Sequence, residues 1–298
     1  MVNYSQKGMQ NPMRQYNEKA RLLVSCKDQP GIVANVSSAL YQIGANITES
    51  AQFSTNPTDG MFFMRIAFDH HGAHALTDLN CHLLKLKTSS GMTYRLTDPN
   101  QRLRVAIFVS REDHCLMELL WQQRTHMLPV DIAMIISNHD LYKKTAHEFS
   151  IPFHYIPITK DTKIDAENAQ LRLLESRVDL IVLARYMQIL SPQMIEHYPN
   201  QIINIHHSFL PAFSGARPYE RAYDRGVKII GATAHYVTDE LDAGPIIEQD
   251  ITRVKHSDDV PSLKKIGRLI EKNVLARAVK WHAEDRILVH NNKTILFT

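Results

Sequence analysis

An apolar run ends on three side chains that can move a proton or hold an oxyanion in QIINIHHSFLPAFSG, residues 201–215. Asn204 and His206 stand two apart, so on an extended strand they share one face, while Ile205 and His207 point the other way. An amide donor beside an imidazole is the pairing that steadies an oxyanion and shuttles a proton. Further on, KIIGATAHYVTDELDAGPII (228–247) places Asp242 in a loop with Gly244 and Pro245. A carboxylate brought beside His206 would fix its tautomer and raise its basicity. Taken singly, Asp242 is a turn former and His235 a strand histidine bonded to backbone; the chemistry depends on their meeting.

The elements that must bring them together are legible in outline. LRVAIFVS (103–110), IAMIIS (132–137), FHYIPI (153–158), VDLIVLA (178–184) and QIINIH (201–206) are apolar runs of strand length. Helical stretches separate them, most clearly AENAQLRLLESR (166–177). Alternation of this kind predicts an α/β fold, a doubly wound, mostly parallel sheet with both faces covered. Ligands of such sheets bind at the carboxyl ends of the strands, which is where Asn204 and His206 lie.

The front of the chain reads differently. RLLVSC is a short strand, and Ile32, Val33, Val36, Leu40 and Ile43 then recur at helical spacing, with Pro30 at the start and Gly44 at the end. ANITESAQFS and MFFMRIAFD flank the turn-rich TNPTDG as a hairpin, ALTDLNCHLLKLK reads as a second helix and GMTYRL as a fourth strand. The order βαββαβ predicts a ferredoxin-like unit. We expect a flexible tail over 1–19, this unit over 20–96 and the catalytic unit over 97–298.

Composition excludes several classes. The 298 residues carry 34 basic and 31 acidic side chains, a net charge of +3, too even to announce nucleic acid or a membrane as partner. No apolar run reaches the length of a membrane span and the first residues lack a signal-peptide pattern. Three scattered cysteines, Cys26, Cys81 and Cys115, fit a reducing cytoplasm rather than a disulfide framework. The sixteen histidines include no H-E-x-x-H pair, and adjacent His206 and His207 make a poor chelate, so no metal site is expected. A G-x-G-x-x-G fingerprint is missing too, and no cofactor is expected.

D-Q-P-G-I-V-A at 28–34 and G-A-N-I at 44–47 resemble an ACT domain, a module that senses amino acids and other metabolites. The resemblance implies an effector turn at Asp28, Gly31 and Asn46, with glycine and methionine as the effectors to try first, and side-by-side assembly into a homo-oligomer. N-x-H at 204–206, followed by S-x-L-P-x-F-x-G, G-A-T-A-H-Y and L-D-x-G-P-I-I, resembles the formyltransferase family that uses 10-formyltetrahydrofolate. That likeness implies Asn204, His206 and Asp242 as the catalytic trio. It also implies that the backbone of LARYMQ, through Arg185, Tyr186 and Met187, holds the pterin, with His235 and Gly244 nearby. His207 stands where the transferases commonly have proline and is read as structural or rim.

Transferases acting on glycinamide ribonucleotide follow their first strand with a glycine-rich phosphate cradle. Here VAIFVS runs into REDHCL (111–116), without glycine and with Glu112 and Asp113 to repel a phosphate. With the ACT-like front, this layout resembles the hydrolytic branch of the family. It implies hydrolysis of 10-formyltetrahydrofolate to formate and tetrahydrofolate, balancing one-carbon pools and supplying formate for purine synthesis. Two other readings stay open: formyl transfer to an unidentified acceptor, and a non-catalytic sensor on an enzyme scaffold.

Overall fold

The computed structural model describes residues 19–56, 59–212 and 217–298. The expected tail lies outside the described residues up to position 18, as do Phe213 and Gly215 of the S-x-L-P-x-F-x-G motif. The chain divides into two units, one ending at Gln101 and the other beginning at Arg102.

The first unit runs β1 (Ala20–Lys27), α1 (Ile32–Gln42), β2 (Asn46–Ser54), β3 (Met61–Asp69), α2 (Ala75–Ser90) and β4 (Thr93–Thr97). Its antiparallel sheet has the order β2-β3-β1-β4. Alternate residues of the two inner strands, Leu22, Val24 and Cys26 with Met64, Ile66 and Phe68, face Val36, Leu40, Leu79 and Leu83 of the helices. This is the period of two meeting the period of three to four, as the sequence requires. α1 starts behind Gly31, whose φ of 91° lies in the left-handed region, and α2 ends at Gly91, φ 66°.

The second unit continues with β5 (Leu103–Val109), α3 (His114–Arg124), β6 (Val130–Ser137), α4 (Lys143–Glu148), β7 (Phe153–Tyr155), α5 (Lys163–Leu174) and β8 (Leu180–Ala184). Then come α6 (Pro192–His197), β9 (Ile202–His206), α7 (Pro218–Arg225), β10 (Ile229–Tyr236), β11 (Ile246–Arg253), α8 (Val260–Ala283), β12 (Ile287–His290) and β13 (Lys293–Leu296). The seven-stranded sheet has the order β11-β10-β9-β8-β5-β6-β7. From β9 to β7 every pairing is parallel, and β10 and β11 close the other edge antiparallel. The strand expected over 153–158 stops at Tyr155, short of Pro157, which has no amide to donate to a ladder.

Both faces are covered. Val105, Ile107 and Val109 pack with Leu116, Leu120, Val274 and Leu275 of α3 and α8. Ala106 and Phe108, one residue out of phase, pack with Leu174 of α5 and Met194 of α6. α8 begins on Asp259, whose carboxylate accepts from Ser262 N at 2.9 Å, and Ser191 caps α6 on Met194 N at 3.3 Å. From β5 the chain builds outward through β6 and β7, then returns to place β8 and β9 on the other side. The strand order therefore reverses between β5 and β8, and a crevice opens at their carboxyl ends. Among the described residues, no helix is long and apolar enough to cross a membrane. Cys26, Cys81 and Cys115 are free thiols.

Candidate active site

β9 and β10 run antiparallel with Asn204 opposite His235. Asn204 Nδ2 lies 3.2 Å from His235 Nε2, and His235 Nδ1 donates to the Tyr236 carbonyl at 2.9 Å. The backbone bond leaves Nε2 as an acceptor, so it takes a proton of the Asn204 amide and fixes that amide's orientation. Burial pushes the His235 imidazole pKa down, which keeps the ring neutral for this task.

The loop behind β10 folds back because Tyr236 N donates to Pro245 O at 2.9 Å. Gly244 permits this approach: a Cβ there would stand 1.8 Å from the Tyr236 carbonyl oxygen. Asp242 turns the loop in the left-handed region, φ 57°, and its Oδ2 meets His206 Nδ1 at 3.2 Å. Its other oxygen lies 3.8 Å from His235 Nε2. The hydrogen bond from His206 holds the Asp242 carboxyl below the usual carboxylate range, against the opposing effect of burial. With Nδ1 donating to Asp242, Nε2 of His206 carries the free lone pair; it is buried and makes no hydrogen bond among the described residues. Asn204, His206 and Asp242 are thus brought together, with His235 behind Asn204.

Beside this group a cleft is lined by Asn204, His235 and Asp242 together with apolar Leu183, Leu190 and Val237. From LARYMQ, whose backbone is expected to hold the pterin, the cleft takes Leu183 and Gln188, and the side chains of Arg185, Tyr186 and Met187 point elsewhere. Tyr186 plugs the core, edge-on to Phe108, with its hydroxyl 2.7 Å from Gln170 Nε2. Met187 is 61% exposed, and Arg185 turns to a different cavity. The reason is local: Arg185 and Met187 have φ of 62° and 58°, so the backbone reverses at each and alternation is lost. Ser110 clamps this turn, its amide donating to Arg185 O at 3.3 Å and its hydroxyl to Tyr186 O. Gly244 is likewise absent from the cleft lining and does its work through the backbone.

In the first unit, Asp28 accepts a hydrogen bond from Ser54 Oγ at 2.5 Å and its amide donates to Gly60 O at 2.9 Å, bracing the β2–β3 hairpin. Gly31 caps α1, and Asn46 opens β2 with its side chain exposed, opposite Asp69.

Sequence reasoning missed Glu271. This buried carboxylate of α8 accepts from Tyr219 Oη at 2.6 Å, meets His114 Nε2 at 2.8 Å and has Arg185 Nε at 3.4 Å. Burial opposes its charge, but the His114 hydrogen bond and the nearby Arg185 prevail and hold its pKa at about 2. The signal was available: Gly267, Ile270, Val274 and Ala278 mark the buried stripe of α8, and Glu271 lies in it. His114, Cys115 and Glu271 also stand close enough to share a metal ion. His114 and Glu271, however, already bond each other, Arg185 would repel a cation, and burial raises the Cys115 thiol well above its ordinary pKa. The cluster does not fit a metal site.

The family model for formyl transferases matches residues 103–279, and that for ACT domains residues 20–80. Fold and site together define a formyl transferase domain joined to an ACT domain. A formyltetrahydrofolate deformylase from Bacillus subtilis is 56% identical over 282 residues, 94% of each chain. The crystal structure of a formyltetrahydrofolate deformylase from Pseudomonas syringae superposes with a TM-score of 0.90 at 45% identity, again covering 94% of both chains. The chain belongs to the formyltetrahydrofolate deformylase family. Glycinamide ribonucleotide transformylase 1 from Symbiobacterium toebii matches 66% of the chain, with a TM-score of 0.62 and 28% identity.

Proposed function

We propose that the protein hydrolyses 10-formyltetrahydrofolate to formate and tetrahydrofolate, releasing formate that purine synthesis can reuse. The observation that carries the mechanism is the buried Nε2 of His206, which bonds to none of the described residues while Asp242 holds Nδ1 on the far side of the ring. In this reading the folate ring system lies in the cleft beside Leu183 and Leu190, with its formyl group toward Asn204. His206 takes a proton from water as it attacks the formyl carbon. Asn204 and the resulting imidazolium steady the tetrahedral oxyanion, and His206 then returns the proton to the departing folate nitrogen. Every step is proton transfer or oxyanion binding by these side chains, so the scheme uses substrate and water without a cofactor.

Water is a weaker nucleophile than an amine, which places more weight on the base than transfer would. The charged REDHCL segment favours water over a phosphorylated amine: Glu112 stands at the β5 carboxyl end, paired with Arg268 at 2.7 Å. Purified protein given 10-formyltetrahydrofolate alone should yield formate and tetrahydrofolate in equal amounts. Millimolar glycinamide ribonucleotide should neither accept the formyl group nor slow its hydrolysis. Formylated glycinamide ribonucleotide would return the chain to the transferases.

The ACT unit supports an amino-acid effector, with glycine and methionine the first to test. The outer edges of β2 and β4 support side-by-side assembly of copies. A cytoplasmic setting fits the free thiols and the folate chemistry.

A further inference from the structure

The β5/β8 crevice holds a second, polar cavity of about 250 Å³, lined among others by Arg185, His207, Tyr219 and Glu271. Two ion pairs stand at its rim, Arg268 with Glu112 at 2.7 Å and Lys264 with Glu220 at 2.8 Å, and the exposed Arg217 also lines it. Its inner wall is different. Glu271 receives good hydrogen bonds from Tyr219 and His114, but Arg185 approaches it only at 3.4 Å, and Arg185 Nε and Nη1 make no hydrogen bond among the described residues. The Arg185 side chain is 13% exposed, so this is a largely desolvated guanidinium with unused donors. A planar fork of N–H groups in such a place matches a carboxylate.

The cavity also adjoins the reaction. His207 lines it, and the His207 ring is centred 5.2 Å from that of His206. His207 is held neutral, its pKa lowered to about 4 by burial first and Arg185 next, so it does not compete with the guanidinium for an anion. The folate cleft is lined by Asn204, Asp242 and His235 instead, so the two cavities meet the catalytic group from different sides.

We infer that this cavity is a carboxylate site that receives the formate released at His206, with Arg185 as its anchor and Glu271 as the resident carboxylate it must leave. The inference rests on the hydrolytic reading above. Loose geometry between Arg185 and Glu271 is what such a site needs: the guanidinium stays in place yet can turn to a one-carbon anion and release it again.

The test uses full-length protein and 13C-labelled formate, with line broadening titrated at fixed ionic strength in chloride and with acetate as a competitor. Saturable binding is expected, displaced by unlabelled formate and by acetate, as for a carboxylate site. Arg185→Gln should weaken it about tenfold or more, as for loss of a charge-assisted pair. Glu271→Gln, which keeps an acceptor for Tyr219 and removes the competing charge, should tighten formate binding severalfold. In turnover, formate should inhibit as a product, with the same order among the variants. Equal binding by wild type and Arg185→Gln, failure of either carboxylate to displace the label, or weaker binding in Glu271→Gln would each overturn the inference. If Arg185→Gln does not fold, the Glu271→Gln titration decides alone. Wild-type protein that turns over 10-formyltetrahydrofolate yet binds no formate sinks this site and leaves the hydrolytic reading standing. Failure to release formate from the substrate sinks the reading itself.

Discussion

His206 works through both of its nitrogens, and each has a different owner. Asp242 holds Nδ1 at 3.2 Å, and the site chemistry needs Nε2. Asp242→Asn keeps the size of the side chain but no longer favours an imidazolium, so kcat should fall by orders of magnitude while the thermal midpoint stays near wild type. Near wild-type turnover would remove Asp242 from the base assignment. Asn204 should behave as an oxyanion donor, and its replacement by Ala should lower kcat about 10²–10³-fold. The bond from Asn204 to His235 makes His235 a positioning residue, because one amide proton is committed there and the other is aimed by default.

At the level of elements, α8 and α7 are fitted around a missing side chain. Gly267 faces Tyr219 so closely that a Cβ would lie 1.9 Å from its hydroxyl, and that hydroxyl is the 2.6 Å donor to Glu271. Helix propensity alone favours alanine by about 1 kcal/mol at such a position. Here Gly267→Ala should instead destabilise by about 1–3 kcal/mol through forced displacement of Tyr219. Urea denaturation followed by tryptophan fluorescence measures the sign, and an unchanged or higher midpoint would show that α7 yields freely. The β8–α6 connection is fixed in a similar way. Buried Glu167 accepts from Ser191 N at 3.1 Å and Gln170 holds Tyr186, so α5 pins the loop whose two left-handed residues aim Arg185 away from the folate cleft.

At the scale of the whole molecule, several histidines are folded in at a cost that depends on pH. Burial lowers His207 to about 4 and lowers His154 and His235 as well. Each binds fewer protons folded than unfolded between its folded value and the ordinary value near 6.5, so stability rises with pH across that window. It is fully present above about 6.5 and lost as pH falls toward 4. His207 alone contributes up to about 3 kcal/mol of that slope. Denaturation midpoints at pH 7, 6 and 5 should fall steadily in the wild type and less steeply in His207→Gln; parallel slopes would put His207 in contact with solvent. The two-unit organisation carries a further expectation. Asn46→Ala, at an exposed strand start away from any core, should blunt an amino-acid response of roughly 5–150-fold while sparing basal hydrolysis. Steady-state rates with and without glycine or methionine measure it, and an undiminished response would place the effector elsewhere.

Much of this was written locally. Periods of two and of three to four residues marked the strands and helices, since burial on a sheet face or helix stripe imposes those spacings on apolar residues. Alternation alone put Asn204 and His206 on one face of β9; His207 lies just past the strand end, where alternation no longer holds and its ring comes to 5.2 Å from that of His206. Motifs bound to strand ends carried Asp242, because a short loop behind β10 leaves a carboxylate little choice of neighbour. What the sequence could not decide was pairing between distant segments and the aim of side chains where the backbone leaves a regular element. Arg185 and Tyr186 left the cleft because left-handed turns break alternation, and such turns at non-glycine residues have no spacing signature. Glu271 lies more than 80 residues from Arg185 and 157 from His114, and only the return of α8 across β9 and β10 against α3 brings the three into contact. A charge in a buried helical stripe announces that a partner exists. Tertiary structure alone names the partner, since a carboxylate can be desolvated only where the fold supplies donors to replace water.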